Sequence, residues 1–213
     1  MEQSSTRVAG ARAPFRENRL LQGLAGAWAM LWIWAAIEPH YRFDWFLENI
    51  LLIAAAVLVV VNHRRHPFSD RSYVLIAAFL MLHTYATHYT YSETPLGAWM
   101  AEIGGFERNH FDRVVRASFG FLLAYPAWEA LVRRFRLTAG VARWLVFLGI
   151  STASLTYEIV EWLVVLVVNP ETGMAFLGTQ GDEFDAQKDL ALAMAGAAIA
   201  LLAHWRGTRR LHL

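Results

Sequence analysis

Six apolar runs, each at or near the length that crosses a bilayer, constrain this chain more than any other feature. A helix needs about 20 mostly apolar residues to span a hydrocarbon core of roughly 30 Å. Residues 20–37, 46–61, 73–88, 114–132, 144–168 and 185–205 are the six candidates. In the last of them only 190–203 is uninterrupted, so it reaches spanning length only if its acidic start enters the membrane. At 56% apolar and 17% charged the composition lies outside the range of ordinary soluble domains. The sequence therefore predicts an all-α, polytopic membrane protein: a single six-helix domain over 19–205, with tails 1–18 and 206–213.

The basic residues orient these spans. Cytoplasmic connections carry the excess of Lys and Arg. Arg7, Arg12, Arg16 and Arg19 precede the first run, and Arg64, Arg65 and Arg71 separate the second from the third. Arg133, Arg134, Arg136 and Arg143 separate the fourth from the fifth, and Arg206, Arg209 and Arg210 follow the sixth. Fourteen of 19 basic residues thus fall on one side, leaving Arg42, Arg108, Arg113, Arg116 and Lys188 on the other. The alternation holds through all six spans and predicts both termini in the cytoplasm. The first run is longer than a typical signal-peptide core and lacks a small-x-small cleavage site, so it is expected to remain as a helix. Trp45 and Trp99 on one side, with Trp144 and Trp205 on the other, suit interfacial belts.

A net charge of +1 with dispersed arginines argues against a nucleic-acid partner. Zero cysteines exclude a disulfide scaffold, a thiol nucleophile and thiolate metal sites. The expected surroundings are a lipid bilayer, and the chemistry must come from acids, histidines and arginines.

Glu158 and Glu161 lie inside the fifth run, where one charge costs at least about 2.5–3.5 kcal/mol. Ser151, Ser154, Glu158 and Glu161 form one stripe at helical spacing, which should face the bundle interior. Two accounts fit: acids that pin neighbouring helices, or a functional site. His83 and His88 close the third run, with Tyr91 beyond. They are about 140° apart around a helix and cannot chelate one ion as a local pair. The connection before the fourth run brings Arg108, Asn109, His110, Asp112, Arg113 and Arg116 to its outer mouth. That is either a self-neutralising ion-pair cluster or a guanidinium site for phosphate or carboxylate. Before the sixth run come Gln180 and Asp182, then Asp185 and Asp189, the three acids sharing one face if the helix begins near Asp182. Capping explains Asp182 but not Asp189. The small residues of 193–198 should bring the sixth span against another helix. The fifth span is its neighbour in sequence, so Glu158 and Glu161 are expected to meet Asp185 and Asp189. So many carboxylates at short range demand protons or a cation.

His83 with His88-Tyr89-Thr90-Tyr91, Asn109-His110 with Asp112-Arg113, Tyr157-Glu158 with Glu161-Trp162, and Gly178-Thr179-Gln180-Gly181-Asp182 through Asp185 to Gln187-Lys188-Asp189 together resemble the YjdF-like family of uncharacterised bacterial inner-membrane proteins. The resemblance runs from about residue 20 to 205 and implies a multi-pass inner-membrane protein of unknown activity. The last third is more distantly similar to VanZ-like membrane proteins, some of them associated with glycopeptide tolerance. There Glu158, Glu161, Asp182, Asp185 and Asp189 carry the likeness, and Ala193 stands where that family has Asn.

Three functions follow. The first is a protein that binds a lipid or cell-wall precursor in the outer half of the membrane, with Asn109, Arg113, Arg116, His88, Tyr91 and Gln180 as ligand contacts. The second is a metal-dependent hydrolase or transferase on a phosphate-bearing lipid. Its divalent ion would be held by a subset of His83, His110, Asp112, Glu158, Asp182, Asp185 and Asp189, with Glu158, Glu161 and His83 as catalytic groups. The third is a proton-coupled transporter relaying through Glu158 and Glu161.

Overall fold

The computed structural model describes residues 14–168 and 170–210, without the side chains of 171, 175 and 206–210. Arg7 and Arg12, and the side chains of Arg206, Arg209 and Arg210, which entered the charge pattern, lie outside the described residues. Among these residues eight helices follow in order: α1 (Arg19–Ala36), α2 (Arg42–Arg65), α3 (Asp70–His88), α4 (Pro95–Gly104), α5 (Phe111–Arg134), α6 (Ala139–Val167), α7 (Pro170–Leu177) and α8 (Asp185–Arg210). There is no strand among the described residues.

Each apolar run lies almost wholly within one long helix, and several helices extend beyond the run onto a polar start. Ser69 and Thr138 accept a backbone N–H in the first turns of α3 and α6, which places those starts outside the apolar stretch. The short helices α4 and α7 occupy segments that hydropathy leaves as connections. Helix α4 carries its own signals: Thr94 caps Gly97 N–H, Pro95 opens the helix, and Gly105 closes it at φ 66°. Among the described residues three helices are long and apolar enough to cross a membrane by length and composition: Arg42–Arg65, Ala139–Val167 and Asp185–Trp205. Their outward faces expose large apolar side chains such as Leu58, Trp144 and Val167, a surface suited to hydrocarbon rather than water.

The tightest helix pair is α5 with α8, and glycine makes it so. A Cβ at Gly120 would run into the Ala193 carbonyl oxygen, and one at Gly196 into the Ala117 carbonyl oxygen. Ala124, Ala193 and Ala197 seal the seam with no exposed surface, and Val146 and Ile150 of α6 fill its flank. The small-residue run of α8 thus finds its closest partner in α5 rather than in α6, the neighbour in sequence. Gly120, with no side chain, leaves the room on the facing helix, and α6 packs beside the pair.

Helix α3 packs against both α5 and α1. At its start, Glu129 of α5 accepts from Ser69 N–H (2.9 Å), Ser69 Oγ–H (2.7 Å), Ser72 Oγ–H (2.5 Å) and Arg133 Nη1 (2.6 Å). The carboxylate is only 4% exposed and satisfies the amino end of α3 from another helix. Truncation in Glu129→Ala would leave buried donors unpaired and should cost about 2–3 kcal/mol. Unfolding in detergent checks this, and an unchanged midpoint would contradict it.

Candidate functional site

Helical spacing presents the carboxylates of three helices to one arginine. Asp112 and Arg116 are one turn apart on α5, Glu158 and Glu161 one turn apart on α6, and Asp185 and Asp189 one turn apart on α8. Arg116 Nη2 donates to both oxygens of Glu161, at 3.0 and 3.1 Å. Nη1 lies 3.0 Å from Glu158 Oε1, and Nε lies 3.3 Å from Asp112 Oδ1 and 3.4 Å from Asp189 Oδ2. The guanidinium carbon sits 4.4 Å over the ring of Tyr157. One cation therefore serves four carboxylates.

A fifth carboxylate lies one contact further in. Glu48 of α2 accepts from Tyr157 Oη–H at 2.5 Å and from Tyr91 Oη–H at 3.3 Å. His83 Nε2 is 3.8 Å from Glu48, and its Nδ1 is 2.8 Å from the Tyr91 hydroxyl. Tyr91 reaches this position because Thr90 and Tyr91 turn the chain through the left-handed region, at φ 53° and 52°. Glu48 is 5% exposed, so these hydrogen bonds stand in for most of the water it has lost.

Asp112, Asp185 and Asp189 form a separate corner of this centre. Each offers one oxygen, and the three oxygens lie within 4.8 Å of one another among buried side chains. Asp189 is 1% exposed, and no basic, amide or hydroxyl group among the described residues donates to its Oδ1, which faces Asp112. A buried carboxylate oxygen without a donor is costly unless a cation or proton meets it. Hard oxygen donors in this number suit Mg²⁺, Ca²⁺ or Mn²⁺ rather than a soft metal.

Around this corner the loop charges are neutralised. Arg108 Nη2 is 2.6 Å from Asp185 Oδ1, and its Nη1 donates to the Thr179 carbonyl. Arg113 pairs with Asp182, which also accepts from Lys188 Nζ at 2.7 and 2.8 Å. The Lys188 hydrogen bond, with help from Phe184 N–H and Arg113, holds the Asp182 carboxyl down at about 2, against an ordinary 3.8. A depressed folded value stabilises the fold above the unfolded value, and that contribution disappears as pH falls through the folded one. The fold should therefore lose stability between about pH 4 and pH 2 through this group. Acid unfolding profiles of the parent and Asp182→Asn would converge over that window, and parallel profiles would contradict it.

Other sequence candidates have different surroundings. Asn109 and Gln180 clasp each other: Asn109 N–H donates to Gln180 Oε1 and Gln180 Nε2 to the Asn109 carbonyl, both at 3.0 Å. The Asn109 side chain also ties Thr94 and Phe111, so these two residues lock the loops over the centre. His88 donates from Nδ1 to the Ala35 carbonyl at 3.1 Å and stacks on Trp34, away from the carboxylates. His110 packs on Phe106, and burial with the charges of Arg113 and Arg108 lowers its pKa. The three-aspartate corner thus includes neither His83, His110, Glu158 nor Asp182. Sequence reasoning passed over Glu48, Tyr157 and Glu129 as site or anchoring residues. For Glu48 a signal existed, since it lies inside the second run one turn after Asp44.

The family model described as "Predicted membrane protein (DUF2238)" matches residues 20–210. The inner membrane protein YjdF of Escherichia coli (strain K12) is 31% identical over 189 residues, covering 86% of this chain and 90% of that one. No solved structure matches the chain. Both matches support the YjdF-like resemblance and the inner-membrane location; neither bears on the VanZ-like one. The carboxylate centre on α5, α6 and α8 lies within the matched region, and the chain belongs to the DUF2238 family of membrane proteins.

Proposed function

We propose that the chain crosses the inner membrane six times, on α1, α2, α3, α5, α6 and α8, and binds a divalent cation between α5 and α8 in the outer half of the bilayer. Residues 1–18 and 206–213 lie in the cytoplasm around one helical domain. The distribution of 14 basic residues to one side supports the orientation. The burial of Glu48, Asp112 and Glu129 explains how α2 and α5 carry acids through hydrocarbon.

The observation that carries the ligand assignment is Asp189 Oδ1, buried and without a donor beside Asp112 and Asp185. Its nearest cation, Arg116, is already shared among Asp112, Glu158 and Glu161. A phosphate ligand is disfavoured, because Arg108, Arg113 and Lys188 are engaged by Asp182 and Asp185 and would have to leave them. The missing charge is positive.

Thermal unfolding of the detergent-purified protein tests this with Mg²⁺, Ca²⁺ and Mn²⁺, each against EDTA. A cation at 100 times its Kd stabilises by about 2.7 kcal/mol, a shift of several degrees. Asp189→Asn should abolish the shift, whereas Glu102→Gln, on the exposed surface of α4, should keep it. Identical midpoints in EDTA and in millimolar cation would sink the proposal.

A further inference from the structure

A second site lies at the opposite end of the helices. Near their outer ends α1 and α2 are tied together, where Trp32 Nε1 donates to Asn49 Oδ1 at 2.6 Å and Trp32 lies 5.8 Å from Trp45. Both helices pack on α3 more than on each other. The gap is a groove of about 820 Å³, within the range that buries an extended organic ligand. Leu24 and Trp28 of α1, Val59 of α2 and Ile76 of α3 form its walls, and Arg16 and Arg64 stand at its mouth.

The mouth is charged and the walls are not. Both arginines are exposed, and neither has a carboxylate partner among the described residues. This contrasts with the outer end, where Arg108, Arg113 and Arg116 are all paired with acids. The one polar pair deeper in the groove, His63 Nδ1 with the Tyr73 hydroxyl at 2.6 Å, is satisfied internally. An apolar slot ending in two free guanidinium groups complements an acyl chain that carries an anionic headgroup. Under the six-span orientation proposed above, that mouth faces the cytoplasmic leaflet, where basic pockets between helices take acidic lipid heads.

We propose that the groove between α1, α2 and α3 holds one acyl chain of an anionic phospholipid of the inner leaflet, with Arg16 and Arg64 gripping its phosphate. The inference rests on the six-span orientation but not on cation binding at the outer centre. Each basic side chain near an anionic lipid surface gives about a fivefold preference, so two give about 25-fold.

The test incubates the purified full chain with mixed micelles of phosphatidylglycerol and phosphatidylcholine and measures retained lipid by native mass spectrometry. The parent should retain phosphatidylglycerol by about 25-fold over phosphatidylcholine. The double variant Arg16→Gln/Arg64→Gln should retain both about equally. Ala25→Trp, which fills the slot without changing charge, should reduce retention of both lipids. Unfolding midpoints of all three proteins separate loss of binding from loss of fold. Equal retention of the two lipids by the parent, or an unchanged preference in a folded double variant, would overturn the proposal. Retention of neither lipid, with residues 1–13 protected from protease, would overturn it in favour of the chain's own amino terminus as the occupant. The absence of native cysteine allows His66→Cys to report orientation without background. Labelling of that cysteine from outside intact cells would overturn the inner-leaflet assignment even if the lipid preference held. A failed divalent response at the outer centre leaves all these readouts unchanged, so the two proposals fail separately.

Discussion

Arg116→Met is expected to unfold the protein or lower its stability by about 3–5 kcal/mol, the range for removing one partner of a buried ionic group. The substitution preserves length and apolar stem but leaves Asp112, Glu158, Glu161 and Asp189 facing one another without their shared cation. Like charges at such separations raise one another's proton affinity until protons or ions restore balance. Acid should therefore narrow the gap between variant and parent. Arg116→Lys should recover only part of the loss, because an ammonium cannot reach both oxygens of Glu161 and Glu158 at once while stacking on Tyr157. Unfolding midpoints from pH 5 to pH 8 check both statements. A midpoint for Arg116→Met equal to the parent's at neutral pH would mean that the carboxylates do not depend on the arginine.

The second large effect is steric. Gly120→Leu should cost about 3 kcal/mol or more, because the added atoms meet the Ala193 carbonyl rather than a side chain that can rotate away. The α5–α8 seam would have to open, and with it the alignment of Asp112 with Asp185 and Asp189. At Gly149 of α6 an added Cβ meets nothing within 4 Å, and the same exchange replaces a poor helix former. That variant should be neutral or stabilised by up to about 1 kcal/mol. Equal unfolding midpoints for the two variants would remove the close-packed seam from the account.

The acids on α6 and α8 were legible from spacing because helical periodicity fixes which side chains share a face. Glu158 and Glu161 were bound to point the same way, as were Asp185 and Asp189, and burial in an apolar run required that way to be inward. Their common partner was less legible. Arg116 is one turn from Asp112, but only the depth at which α5 meets α6 and α8 turns it into a hub instead of a loop-capping charge. That depth is set by Gly120 and Gly196, which periodicity alone does not pair. Glu48 was passed over because it sits near the end of its run, where an acid ordinarily faces water. Its contacts depend on Tyr91, brought inward by two left-handed residues that no hydropathy pattern encodes. The helices α4 and α7 are too short to register as apolar runs, although the capping residues of α4 were visible. Glu129 illustrates a further limit. An acid near the basic end of a run resembles a surface charge until the fold sets it over the start of α3.

The most direct test of the cation site is anomalous scattering from crystals of the full chain grown with Mn²⁺. One peak is expected among the carboxylates of Asp112, Asp185 and Asp189, with metal–oxygen distances of about 2.0–2.6 Å, and Asp189→Asn should remove it. A map with manganese elsewhere, or with none while those three side chains keep their arginine partners, would contradict the account.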